Sequence, residues 1–330
     1  MSYIEVAKGI YEMLQGTDFR NLLKGRGNNY DEFRTLMWDK FRINELISSY
    51  KQGTSSLLEK HLSFYNDVLN KFLKSEEIAY YENHMPLRTA FYLFWIWDKK
   101  LEIADEKLDK FIESFYIGTF GYKMIDVFSD NKNPNAEMIF VGFYAIKIAE
   151  KLLSEALGTE NTSTPILKYF KIYADVECFE KKNRWKVTPF KWDEPERLGN
   201  KAAPIYMVYE TLFRFANYDE QKISDLMKAF NYTAAALQIV DDLLDAKEDL
   251  SNGYETLVMT GYYEIYGFQD EITDEKITTI LDQERLKTIY TIVHELFDKA
   301  RALFEKHDEY IILLTHEIQF YNINSLIEAQ

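Results

Sequence analysis

The stretch Gln238-Ile-Val-Asp241-Asp242-Leu-Leu-Asp245-Ala-Lys-Glu-Asp249 decides how this chain is read. Asp241, Asp245 and Asp249 recur every four residues, so on a helix they form one acidic stripe. Leu237, Val240 and Leu244 take the i, i+3, i+7 positions, and that spacing predicts that they anchor the helix in a core. Like charges four residues apart repel and destabilise an isolated helix. Three in register need a positive partner, and Mg²⁺ suits them, because it takes one or two carboxylates and completes its octahedron with water and phosphate oxygens. A solvated acidic face is the plain alternative, and three details argue against it. Ala234 through Val240 carries no charge, so the helix enters the patch from a buried stretch. Asp242 lies one position off the stripe and widens it to a metal-sized surface. Gly253 follows shortly after Asp249, where a C-cap glycine would end the helix.

A second acidic pair lies upstream. Asp126 and Asp130 are again spaced i, i+4, with Tyr122 one turn earlier on the same face. Asn131-Lys-Asn-Pro134-Asn135 then breaks the helix. Alone, a DxxxD arises often by chance; its weight comes from company. Facing helices of a bundle can project carboxylates into a shared cavity and hold metals there. Burying so much like charge is prohibitive without cations, so the two pairs together predict a metal cluster.

Composition narrows the class. Only 13 Gly and 6 Pro in 330 residues argue for long helices over a turn-rich β protein. No GxGxxG or P-loop occurs, which leaves dinucleotide and Walker-type nucleotide binding without support. A formal charge of −15 makes nucleic acid a poor partner. The apolar run Ala90–Trp97 is far too short to span a bilayer, and the N-terminus lacks a signal-peptide layout. Cys178 is the single cysteine, so there is no intrachain disulfide and no thiolate cluster for zinc. These features predict a soluble, cytoplasmic protein without stable membrane insertion.

Helical periodicity predicts helices over 106–130, 137–157, 165–182, 202–216, 219–250 and 284–306. Breakers separate them at Asn131–Asn135, Gly158–Pro165, Val187–Asn200 and Ser251–Gly253. The 187–200 connection has the length of a lid or binding loop, and equally of a plain surface loop. No repeat, low-complexity tract or composition shift marks a boundary, so residues 1–330 read as one all-α domain.

At this point the chain resembles the class I isoprenoid synthase superfamily. The segment QIVDDLLDAKEDLSNGYETL is similar to the second aspartate-rich motif of trans-prenyltransferases, with Gln238, Asp241, Asp242 and Asp245 in the matching places. Leu198-Gly-Asn-Lys201-Ala-Ala-Pro-Ile-Tyr resembles the lysine helix that precedes that motif and contacts diphosphate. The first pair departs from the elongating enzymes, which carry DDxxD followed by Arg-Arg-Gly; this chain reads DVFSDNKNPNAEM. Its DxxxD is instead similar to that of squalene and phytoene synthases and of some terpene cyclases. The resemblance spans roughly residues 85–265, and 1–75 match nothing nameable. It implies an all-α helical bundle around a central active-site cavity, about three Mg²⁺ ions, an allylic prenyl diphosphate as substrate, and a possible homodimer.

Diphosphate also needs cationic donors. Lys201 opens an otherwise apolar helix and serves as a compact point charge for phosphate. Lys247 lies among the acids, within reach of diphosphate or simply of Glu248. Arg88 begins a long aromatic helix and is a further candidate; Arg184 fits a basic surface better. Of 24 Tyr, 23 Phe and 5 Trp, most must be core. The cluster Phe91, Tyr92, Phe94, Trp95 and Trp97 puts rings on several faces of one helix, compatible with a carbocation pocket. The five histidines are scattered, with no metal spacing.

The leading expectation is a Mg²⁺-dependent terpene synthase, with Asp126, Asp130, Asp241 and Asp245 as the principal metal ligands. Asp242 and Asp249 come second, and Lys201 grips the diphosphate, with Gln238, Lys247 and Arg88 as further substrate contacts. The alternatives are a trans-prenyltransferase, elongating or head-to-head, and a non-catalytic helical partner subunit.

Overall fold

The computed structural model describes residues 3–15, 43–63, 76–130 and 136–328. These residues are overwhelmingly helical; among them the only β-type pairing is an isolated parallel bridge between Lys186 and Tyr254. The all-α expectation holds. The chain groups into two compact units, Met1–Thr164 with Tyr310–Thr315 and Pro165–Glu309 with His316–Gln330, where the sequence reading expects one domain.

In the first unit, α1 (Tyr3–Gln15), α2 (Ile43–Leu62), α3 (Glu76–Asp98), α4 (Asp105–Asp130) and α5 (Ala136–Leu157) bury their apolar faces on one another. The α3 aromatics supply much of this core: Phe91, Tyr92, Phe94 and Trp95 are each at most 2% exposed. Tyr92 meets Phe111 and Phe115 of α4 edge-on at 5.9 and 5.0 Å, and Phe94 stacks on Tyr11 of α1 at 6.0 Å. Rings on several faces of α3 thus serve several core contacts. Arg88 does not begin this helix; α3 starts at Glu76 and passes through Pro86. Proline removes a backbone donor and crowds the preceding turn. The helix continues because Met85, Pro86, Ala90 and Phe91 are buried, while the Tyr3 hydroxyl donates to the Pro86 carbonyl at 2.5 Å.

Helices α4 and α5 pack unusually close. A Cβ on Gly121 would lie 2.8 Å from the Gly142 carbonyl oxygen, and one on Gly118 would lie 3.2 Å from the Ala149 Cβ. The register, with Gly118 on Ala149 and Ile125 on Gly142, is that of an antiparallel pair. Gly121→Ala must therefore push backbone against backbone, and is expected to cost about 1–3 kcal/mol of stability. A urea midpoint equal to wild type would show that the helices separate freely.

The second unit contains most of α6 (Thr159–Asn183), a 3₁₀ segment (Pro195–Ala202), α7 (Ala203–Phe215), α8 (Glu220–Leu244), α9 (Ala246–Ser251), α10 (Tyr262–Tyr266), α11 (Asp274–Ile280), α12 (Gln283–Lys306) and most of α13 (Tyr310–Glu328). Helix α6 begins directly after Gly158, before the expected start, and also runs through its proline, the buried Pro165. Its first turns are tied to α5 by the Thr162 and Ser154 hydroxyls, 2.8 Å apart. Asp219 and Asp282 cap α8 and α12, each accepting a backbone N–H at 2.8 Å. Phe230 of α8 sits among Tyr209, stacked at 4.0 Å, and Phe304 at 5.2 Å. Three of the buried acids in this unit face cationic partners, which offsets the cost of burying their charge. Glu210 accepts from Lys168, Tyr169 and Arg214, Glu317 from Arg301, and Glu309 from Tyr218 while pairing with Lys222.

Candidate active site

The acidic run does not form one continuous helix. Helix α8 stops at Leu244, Asp245 adopts φ −99°, ψ 11°, and α9 resumes at Ala246. Backbone bonds from Asp245 N to Asp241 O and from Asp249 N to Asp245 O, both 2.9 Å, keep the acids on successive turns across this break. The core face is also offset from the expected one. Tyr232, Ala236, Ile239 and Val240 are buried, whereas Leu237 is partly open and Leu244 is 46% exposed. One residue is a rotation of about 100° on a helix. The shift therefore puts Leu237, Asp241, Leu244 and Asp245 together on the open side and turns Asp242, 4% exposed, into the protein.

The acids thus sort into an outer pair, Asp241 and Asp245, both exposed, and an inner pair, Asp242 and Asp249. Gln238 donates to Asp242 at 2.7 Å and reaches Asp241 at 3.4 Å, so it orients the two neighbouring carboxylates. Burial pushes Asp242 up to about 6, against the pull of Lys201 and the Gln238 hydrogen bond. Burial and the Asp242 charge push Asp249 up to about 8, with Lys201 again opposing. Both shifts disfavour charge on the inner pair, and a nearby cation would offset them.

Lys201 comes from the 3₁₀ segment, an element the sequence reading missed. That segment lies tightly on α8, where a Cβ on Gly199 would come 2.3 Å from the Asn231 carbonyl oxygen. Tyr206 donates to the Gly199 carbonyl at 2.9 Å, and Asn231 donates to Asn200 at 3.0 Å. From this fixed base the Lys201 ammonium pairs with Glu180 of α6 at 2.7 Å. Burial works against its charge, but Glu180 foremost, then Asp242 and Asp249, hold its pKa above the ordinary lysine range. Glu180 was not among the expected site residues. The one available signal was that a lysine opening an apolar helix needs a counter-ion.

The far end of the acidic segment is clamped by residues 184–188, the start of the long connection. Trp185 N donates to Gly253 O at 2.7 Å, Arg184 donates to Asn252 O, and Thr188 N donates to buried Glu255. Gly253, at φ +88°, ends α9 as expected, and a Cβ there would strike the Trp185 indole at 2.5 Å. Arg184 is thus a capping residue for α9.

The remaining candidates have partners or positions of their own. Lys247 pairs with Asp274 of α11 at 2.7 Å on the exposed surface, not with Glu248. Arg88 lies on α3 and Asp126 on α4, both in the first unit. Asp126 pairs with Lys123 at 3.1 Å. Asp130 is the last residue of α4; its side chain, and Asn131–Asn135 with Lys132, lie outside the described residues. Among the described residues no three His, Cys, Asp or Glu side chains already converge as a metal site. The donor set at 238–249 is nevertheless all oxygen and mostly carboxylate, which fits a hard cation such as Mg²⁺. No helix among them is long and apolar enough to cross a membrane.

No protein-family model matches the sequence, and no curated protein matches it. Solved structures do. The heptaprenyl diphosphate synthase of Staphylococcus aureus aligns with a TM-score of 0.62 at 15% identity, covering 84% of this chain and 97% of that one. A decaprenyl diphosphate synthase from Rhodobacter capsulatus aligns with a TM-score of 0.58 at 15% identity, covering 82% and 98%. Agreement over more than four fifths of this chain and nearly the whole of each neighbour, together with the helical architecture, shows that this chain has the class I isoprenoid synthase fold.

Proposed function

We propose that the chain ionises an allylic prenyl diphosphate and transfers the prenyl group to a second isoprenoid diphosphate. The observation that carries this reading is the graded cluster on α8 and α9, with Lys201 and Glu180 beside its inner pair. Its support from outside the chain is the shared fold with two synthases named for prenyl diphosphate products. Asp241 and Asp245, with Asp242 and Asp249 behind them, would hold Mg²⁺, which when bound supplies Lewis-acid stabilisation of the charge on the leaving diphosphate. Asp126 and Asp130 are proposed as ligands of the same kind. Lys201 donates to diphosphate oxygens as a point charge. Leu237 and Leu244, on the same open face as Asp241 and Asp245, offer apolar surface where a prenyl chain leaves its diphosphate. The allylic C–O bond breaks and its electron pair leaves with diphosphate. The double bond of the second substrate attacks the cation, and a proton is lost.

Cyclisation is the second reading, favoured by one sequence observation. Two diphosphates held at once need basic side chains for the metal-free one, and arginine's fork suits phosphate oxygens. After Asp130 the chain offers only Lys132 before Ala136-Glu-Met-Ile-Phe140. One experiment separates the readings. The protein is incubated with Mg²⁺ and geranyl, farnesyl or geranylgeranyl diphosphate, with and without isopentenyl diphosphate. Longer prenyl diphosphates formed only with both substrates support transfer. Hydrocarbon or terpene alcohol from the allylic substrate alone supports cyclisation. No diphosphate release under any condition leaves the non-catalytic partner subunit.

A further inference from the structure

We propose that Glu180 is a positioning residue: it holds the Lys201 ammonium toward α6 and so leaves the Asp242 and Asp249 carboxylates to a divalent cation. The inference rests on the reading of this cluster as a metal–diphosphate site. Both backbones are fixed, Glu180 within α6 and Lys201 on the 3₁₀ segment locked to α8 by Gly199, Asn200 and Tyr206. The pair is close, 2.7 Å, and both side chains are largely enclosed, at 19% and 31% exposure. Lysine carries its charge on a long flexible stem, so its position is set by whichever carboxylate offers the best oxygen. Without the Glu180 charge, the strongest anionic pull left on it comes from Asp242 and then Asp249. An ammonium there would compete with the metal for the same oxygens. A carboxylate from another helix that never touches the metal thus decides whether those oxygens are open to it.

Mn²⁺ serves as the probe, its free concentration read by electron paramagnetic resonance, with circular dichroism confirming the fold of each variant. Glu180→Gln keeps shape and an acceptor oxygen but removes the charge. Its apparent Kd for Mn²⁺ is expected to rise about tenfold. Adding Lys201→Met removes the competitor and should return the Kd to the wild-type value. An unchanged Kd in Glu180→Gln overturns the inference. So does a double variant as weak as Glu180→Gln, which would make Glu180 itself a metal ligand or a structural residue. A separate arm adds inorganic diphosphate with Mn²⁺. A wild-type protein that binds no diphosphate there overturns the reading of the site, while the Mn²⁺ arm alone judges Glu180.

Discussion

Asp245→Asn should lower turnover of an allylic diphosphate at least about 100-fold, the scale seen when one group that stabilises developing charge is removed. The melting temperature of the metal-free protein should stay the same or rise slightly. Both outcomes follow from where Asp245 sits. It is exposed at the break between α8 and α9, so its amide isostere loses no buried contact. Its charge is one of those that raise the pKa of Asp249, so removing it relieves repulsion. With substrate present the balance reverses, because an amide is a poorer ligand than a carboxylate for a hard cation. Initial rates over a Mg²⁺ titration, beside a thermal melt, test both halves. Near-wild-type activity would make Asp245 an ordinary surface acid and remove the outer pair from the mechanism.

Helix positions were legible in the sequence wherever apolar periodicity ran long. The expected 106–130, 137–157 and 284–306 agree within a residue with Asp105–Asp130, Ala136–Leu157 and Gln283–Lys306. The departures have local causes. Arg88 and Pro165 read as helix starts, but buried neighbours carry α3 through Pro86 and α6 through Pro165. Within the acidic run, residue identity was clear and orientation was not. An apolar stripe through Leu237, Val240 and Leu244 and one through Tyr232, Ala236, Ile239 and Val240 differ by a partial turn. Only tertiary packing chose the second, and that choice buried Asp242. Glu180 was illegible for a different reason. It is one of 54 acidic residues, has no motif spacing, and acquires meaning only when the 3₁₀ segment brings Lys201 to it.

Lys201→Met is expected to be strongly destabilising at pH 8 and much less so at pH 5. The single ammonium serves Glu180 directly and lowers the pKa of both inner acids. Breaking a buried ion pair costs about 3–5 kcal/mol, and partial exposure here reduces that to about 2–3 kcal/mol at pH 8. The sign of the pH effect follows from proton counting. Asp249 and Asp242, with folded values of about 8 and about 6 against an ordinary 3.8, keep their protons in the fold at pH values where the unfolded chain has lost them. The native state then binds more protons than the unfolded state, so stability falls as pH rises from near 4 toward each folded value. Wild-type metal-free protein should therefore melt lower at pH 8 than at pH 5. Without Lys201 the folded values climb further, the window widens, and the variant's deficit grows with pH. At pH 5 the inner acids are already protonated and have less need of the lysine. Mg²⁺ supplied at pH 8 with inorganic diphosphate should recover part of the loss, since a cation again faces those carboxylates. Melts of both proteins at pH 5 and pH 8 decide the matter. A deficit equal at both pH values would mean that Lys201 acts through packing alone, with no electrostatic hold on Asp242 and Asp249.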